Sequence, residues 1–242
     1  MNSSKQQSSL ADTLNTANKR HGGASDYVFI DQDKMQDSRY YEEIIFQDSC
    51  IPTRNNSLHD YFNGLIWLTY PKTKVLLNQL HWQDIQALGH KKRTPRRDRI
   101  THFDECGIIL LTNKVELRQK LKEHQWTELF YHQRDEWFKN IVPLHFGHAN
   151  LEMLCQPFIG LTAKALVIHS PSLLKSYQQN SVETQSLIDA YLAEEIKNSG
   201  MFDVKGALSP LPILGIPEWH NATQDLDFYA NTDYFMPAKN NK

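Results

Sequence analysis

Three stretches of this chain carry residue types whose spacing suits acid–base or ion-binding chemistry. In the first, His59, Asn63 and Trp67 follow at i, i+4 and i+8, and Lys74, Asn78 and His81 at i, i+4 and i+7. On helices, each set falls on one face. A half-buried face of histidine and asparagine needs hydrogen-bond partners. It therefore either walls a pocket that offers acid–base or metal-ligating groups, or forms a network that only fixes packing. His59-Asp60 does not extend to the set of a metal-dependent phosphohydrolase, because the only upstream histidine is His21.

The second stretch runs Arg93-Thr-Pro-Arg-Arg-Asp-Arg-Ile-Thr-His-Phe-Asp-Glu105. Arginine forks suit phosphate or carboxylate groups. Arg97, Asp98 and Asp104 are expected to belong to a site, whereas Lys91, Lys92 and Arg93 read as a solvated basic loop. The third stretch is Leu144-His-Phe-Gly-His-Ala-Asn-Leu-Glu152, where His148 and Glu152 fall at i and i+4 if Gly147 opens a helix. Such a pair ligates a metal, or the carboxylate orients the imidazole as a base. A helix start after a strand also attracts anions. There is no Walker loop, G-x-G-x-x-G, G-x-S-x-G elbow or kinase set, which argues against P-loop hydrolysis, Rossmann cofactor binding and α/β-hydrolase chemistry.

The elements that must position these residues follow from periodicity. Residues 1–25 read as a disordered polar tail, and 26–242 as a single globular domain with an extended C-terminal arm from about residue 207. A short extended segment at Tyr27–Ile30 precedes a helix through Tyr40, Ile44 and Ile45 that Ser38 could cap, then a loop, 50–57. Ser57 is the expected cap of a helix with Leu58, Phe62, Leu65, Ile66 and Thr69 inward, ended by Pro71. A second helix buries Leu77, Leu80, Ile85 and Leu88, and a basic loop, 89–99, follows. Strands are expected at Gly107–Thr112, Ile141–Phe146 and Thr162–Ile168, with helices at 115–121, 126–138 and 147–154 between them. Pro143 demotes the middle strand to an edge. Helix returns over 172–198 with Leu187, Tyr191 and Leu192 inward, and Ser209–Pro217 cannot be helical. The fold class is α/β and helix-rich, with a small three- to four-stranded mixed or parallel sheet flanked by helices. In a parallel arrangement Asn113, His148 and His169 would all lie near strand C-termini, the usual ligand crevice.

Composition sets the frame for these residues. The 242-residue chain is 40% hydrophobic and 22% charged, with net charge −2, a globular balance that makes any anion-binding role a matter of a local patch. Cys50, Cys106 and Cys155 are widely spaced and odd in number, which points to a reducing, cytoplasmic setting and not to a disulfide scaffold. Cys106 and Cys155 read as buried, inert thiols. No apolar run reaches the roughly 18 residues of a membrane span, and no membrane partner is expected. Trp82, Trp126 and Trp137 read as core residues, since a base-stacking platform would need them exposed beside the basic loop.

Taken together, Pro52-Thr-Arg54, His59-Asp-Tyr-Phe-Asn63, Pro71-Lys-Thr-Lys74, Asn78, His81, Arg97-Asp98, Phe103-Asp-Glu105, Gly147-His-Ala149, Glu152 and Gly160-Leu-Thr-Ala-Lys164 resemble an uncharacterised bacterial family known as a domain of unknown function. The resemblance covers about Ser49 to Pro237. It implies that His59, Asn63, His81, Arg97, Asp98, Asp104, His148 and Glu152 belong together, and it brings no reaction with it. Two positions depart from the family pattern. Leu58 stands where Trp is frequent, and Glu218 where Gly is frequent, beside Trp219.

The expectation is an enzyme with a mixed histidine–carboxylate pocket acting on a small anionic substrate, with hydrolysis or phosphoester cleavage as the reaction class. His148, Glu152, His59, His81, Asp98 and Asp104 are the candidate catalytic residues. Arg97, Lys74, Asn63, Asn78 and Arg54 would hold substrate. A divalent metal, if used, would take His59, His81, His148 and Glu152. The alternative is a non-enzymatic protein that holds RNA or another polyanion on the basic loop 91–99.

Overall fold

Helix α1 (Leu10–Arg20) forms inside the segment expected to be a disordered tail. Its start is fixed locally: Ser9 Oγ accepts from the Asp12 amide at 3.1 Å and donates to Asp12 Oδ2 at 2.7 Å. Ala11, Leu14 and Asn18 make its buried stripe, and Leu14 joins a cluster with Phe29, Ile45, Ile51 and Trp67. Leu10, Ala11, Leu14 and Ala17 do recur at helical spacing, a signal that the polar composition of the surrounding segment masks when it is read by composition alone. Residues 8–20, 26–179 and 183–238 are described in this computed structural model, and the rest of the expected tail lies outside them.

Contacts gather in two compact units, Met1–Ile100 with Asp189–Ser199, and Thr101–Ile188 with Gly200–Lys242. In the first unit, β1 (Val28–Asp31) is followed by α2 (Tyr41–Asp48) and β2 (Cys50–Thr53), and β1 pairs with β2 in parallel. Part of the expected 50–57 loop is therefore strand. Tyr40, not Ser38, is the N-cap of α2, without a side-chain cap. Helices α3 (Leu58–Thr69) and α4 (Pro71–Leu88) form as expected, with the Asp60 amide donating to Ser57 Oγ and Pro71 in the first turn of α4. The buried face of α3 matches the expected one at Ile66, but Asp60, Gly64 and Trp67 complete it, with Phe62, Leu65 and Thr69 half-buried and Leu58 exposed. Gly64 sets that face, because a Cβ there would stand 2.4 Å from Leu14 Cδ1. On α4, Leu88 is exposed rather than buried.

The α4 N-terminus is capped from far along the chain. Asp189 accepts from the Lys72 and Thr73 amides, both at 2.9 Å, and from Thr73 Oγ1 at 2.7 Å. Burial raises the Asp189 carboxyl, against the lowering effect of these bonds. The expected basic loop is half helix, since α5 (Pro95–Cys106) starts at a proline, a residue preorganised for a first turn.

The second unit holds a mixed four-stranded sheet, with β3 (Gly107–Thr112), β4 (Ile141–His145), β5 (Thr162–His169) and β6 (Ser209–Pro212) in the order β4-β3-β5-β6. β3 and β5 are parallel, with Gly107 opposite Lys164, whereas β4 runs antiparallel to β3 and β6 antiparallel to β5. Pro143 does sit on an edge strand, and β6, sequence Ser-Pro-Leu-Pro, forms the other edge. Ile108 and Leu110 pack with Ala163, Ala165 and Val167 against Phe130, Trp137, Tyr229 and Phe235. Ile109, Leu111, Leu166 and Ile168 are buried too, so neither face of the sheet is left to water.

Short helices α6 (Leu117–Lys122), α7 (His148–Leu154), α8 (Pro171–Gln178) and α10 (Leu226–Tyr229), and the long α9 (Thr184–Ser199), follow. Instead of a regular helix over 126–138, residues Glu128–His132 form a wide turn. The Gln133 amide reaches back to Glu128 O at 2.9 Å, and Leu129 O accepts from Trp137 Nε1 at 2.8 Å. On α9, Leu192 is buried as expected, but Leu187 and Tyr191 are exposed, and Ile188 and Ile196 complete the buried stripe in their place. The C-terminal arm is held by Tyr234, whose hydroxyl donates to Leu161 O at 2.6 Å and accepts from the Leu214 amide at 3.0 Å. Glu218, at φ 69°, occupies the left-handed region that favours glycine.

Trp82, Trp126 and Trp137 are core residues, as expected. The three cysteines are free, Cys106 is half-buried, and Cys155 is exposed, not buried. Among the described residues, no helix is long and apolar enough to cross a membrane.

Candidate functional site

The polar stripe of α4 is real and buried. Lys74, Asn78 and His81 are 5%, 3% and 7% exposed. The hairpin at Tyr70 brings Lys74 back against α3, where its Nζ donates to Asn63 Oδ1 at 3.0 Å and lies 5.3 Å from the Trp67 ring centroid. Asn63 in turn donates to the Tyr41 hydroxyl at 3.0 Å. Asn78 Nδ2 donates to Glu42 Oε2 at 2.6 Å and to the Glu42 carbonyl at 3.0 Å. Helix α2 thus supplies two members, Tyr41 and Glu42, that sequence reasoning missed; lying 22 and 36 residues before their partners, they leave no local signal.

Two buried polar atoms beside this stripe, Trp67 Nε1 and Asn78 Oδ1, have no hydrogen-bond partner among the described residues. A buried donor or acceptor without a partner costs about 1–3 kcal/mol. The unmet donor sits on the indole that Lys74 Nζ lies over, and the unmet acceptor one turn further along α4. His59 is half-buried one turn before Asn63 on α3.

The remaining candidates of the first unit are spent on structure. Arg54 grips Asp60 through Nε at 3.0 Å, Nη2 at 2.7 Å and its backbone amide at 2.7 Å. Burial would raise the Asp60 carboxyl, but these hydrogen bonds outweigh it and hold the group below its ordinary value. Arg97 is 2% exposed and holds the carbonyls of His90 and Lys92 at 3.4 and 3.3 Å, with its guanidinium 5.9 Å from the Tyr40 ring. It is a staple for the 89–94 turn and not an open anion fork. Asp98 is exposed and pairs with Arg93 at 2.8 Å. Arg96 and Thr94 both bind Asp84, and these contacts overcome the effect of burial to lower its carboxyl.

In the second unit, His148 and Asp104 come together. Gly147 packs so closely on the start of β3 that a Cβ would stand 2.4 Å from Gly107 N. This contact sets His148 at the head of α7, buried, with Nδ1 3.9 Å from Asp104 Oδ2, an ion-pair distance rather than a hydrogen bond. Asn150, fully buried, donates to Cys106 O at 3.1 Å, and its Oδ1 has no partner among the described residues. Burial pushes the Cys106 thiol up, Glu105 adds to the effect and Lys164 opposes it, so this cysteine is a poor nucleophile. Glu152 follows His148 by one turn. Because β4 is antiparallel to β3, His148 lies at the opposite end of the sheet from Asn113 and His169, which contact each other at 3.1 Å. The shared strand-end crevice expected for these three residues is not formed.

His145 is another titratable residue that sequence reasoning passed over. It stacks on Trp219 with ring centroids 4.7 Å apart and planes 9° off parallel. Burial lowers its imidazole from 6.5 to about 4.

The expected set therefore divides. Arg54, His59, Asn63, Lys74, Asn78, His81, Arg97 and Asp98 belong to the first unit, and Asp104, His148 and Glu152 to the second. Among the described residues, no three His, Cys, Asp or Glu side chains converge as metal ligands, so the expected His59, His81, His148 and Glu152 set is not a preformed metal site.

Residues 27–239 match the family described as "Protein of unknown function (DUF3025)". No curated protein and no solved structure matches the chain significantly.

Proposed function

The chain belongs to the DUF3025 family, and from its own residues we propose that it is an enzyme acting on a small phosphate- or carboxylate-bearing substrate, with its acid–base site on the α3–α4 hairpin. One observation carries this reading: the buried Lys74–Asn78–His81 stripe stands beside a donor, Trp67 Nε1, and an acceptor, Asn78 Oδ1, that the described residues leave unmet. Lys74 attracts the anionic group in a desolvated setting where a charge acts more strongly than in water. Trp67 donates to a substrate oxygen. Asn78, fixed through its amide by Glu42, accepts from a substrate hydroxyl or from the attacking water. His81, one turn after Asn78 on the same face, moves the proton, and the reaction class is hydrolysis.

The test is a panel of p-nitrophenyl phosphate, bis(p-nitrophenyl) phosphate and p-nitrophenyl acetate. His81→Gln should cost about 100-fold or more in kcat, the usual worth of a general acid or base. Lys74→Met should act mainly on KM for the anionic substrates. His148→Gln, in the second unit, separates this centre from the His148–Asp104 pair. Turnover that survives His81→Gln but not His148→Gln would move the chemistry to that pair, and no turnover of any of the three would count against the hydrolase reading.

A further inference from the structure

The first unit carries an exposed ladder of rings beside cations, a feature independent of the α4 stripe. Phe46 stacks on Trp82 with centroids 5.7 Å apart, Trp82 lies 6.4 Å from His90, and His90 meets Tyr40 edge-on at 5.4 Å. Trp82 is buried beneath, but Phe46, Tyr40 and His90 are 41%, 40% and 49% exposed, so the outer rings offer surface to a ligand. The buried Arg97 holds this arrangement from below, through the His90 carbonyl and the face of Tyr40.

The charges around the ladder are unevenly answered. Asp37 and Asp48 are taken by Arg39, Glu42 by Asn78, Asp84 by Arg96 and Asp98 by Arg93, while Glu43 stands 3.9 Å from His90. Lys91 and Lys92, exposed directly after His90, make no ion pair among the described residues. Exposed ring surface flanked by unneutralised ammonium groups is what single strands require: base faces stack on rings of any kind, and phosphates take the cations. A duplex hides its base faces and gains only the charge term.

We propose that the Phe46–His90–Tyr40 ladder, with Lys91 and Lys92, binds single-stranded nucleic acid through base stacking and phosphate contacts. The experiment is fluorescence anisotropy with labelled oligouridylate and oligothymidylate of about 12 nucleotides and a duplex of equal length, using the full chain. Single strands of either kind bind more tightly than the duplex. Phe46→Leu, which keeps an apolar contact on Trp82, and His90→Ala each weaken single-strand binding roughly five- to a hundredfold. The double replacement Lys91→Ala, Lys92→Ala reduces the slope of log K against log salt by about 1.4. If Phe46→Leu lowers the melting temperature, His90→Ala, on an exposed turn, carries the ring test alone. Absence of single-strand binding at about 50 mM salt overturns the proposal. So does equal affinity for the duplex, or binding that responds to the lysines and not to the rings.

Discussion

His145 offers a direct test of how burial governs this molecule. Its imidazole is half-hidden on an edge strand, flat against Trp219, with Nδ1 buried and without a partner among the described residues. Burial alone takes it from 6.5 to about 4. The folded protein keeps this ring neutral, while the unfolded chain binds a proton below its ordinary pKa. Stability from this group is therefore complete above about pH 6.5, drains away as the pH falls, and levels off below about pH 4. At about 1.4 kcal/mol per pH unit, the full loss is about 3 kcal/mol. His145→Phe preserves a flat ring against Trp219 and removes the titration. Urea unfolding of both proteins at several pH values between about 7.5 and 4 gives the stability difference directly, and other titrating groups cancel in it. The variant should gain on the wild type by about 3 kcal/mol across that window. Parallel pH profiles would refute the argument, because they would mean the imidazole reaches water or a partner in the folded state.

Two further substitutions probe the scaffold. Gly147→Ala places a Cβ 2.4 Å from Gly107 N and 2.6 Å from the Cys106 carbonyl carbon, all backbone. It should cost about 1–3 kcal/mol by thermal or urea unfolding, and an unchanged midpoint would show that the β3–β4 ends can part freely. Asp189→Ala removes the acceptor for the Lys72 and Thr73 amides and should cost about 1–2 kcal/mol, whereas Asp189→Asn should recover much of it. Equal losses for the two variants would instead assign the effect to packing.

Features decided by near neighbours in the chain are legible from the order of residues alone. Ser57 and Pro71 bound their helices, β3 begins and ends where its apolar run does, and Pro143 marks an edge. The Lys74, Asn78 and His81 face is legible for the same reason, since spacing alone defines a helical stripe. Partners from elsewhere are not. Nothing near Asn78 names Glu42, nothing near Thr73 names Asp189, and the antiparallel direction of β4 is settled by Gly147 folding back on Gly107. The assignment of Arg97 fails for a related reason. An arginine-rich segment looks the same in sequence whether its guanidinium faces a ligand or its own carbonyls, and here it holds those of His90 and Lys92.

The prolines on both margins of the four-stranded sheet have a consequence for how copies of this protein can meet. Pro143 on one border and Pro210 and Pro212 on the other each lack the amide hydrogen that an incoming strand would need. Each border of the four-stranded sheet thus offers an incoming strand an interrupted row of donors, which disfavours strand-by-strand addition of one molecule to the next along it.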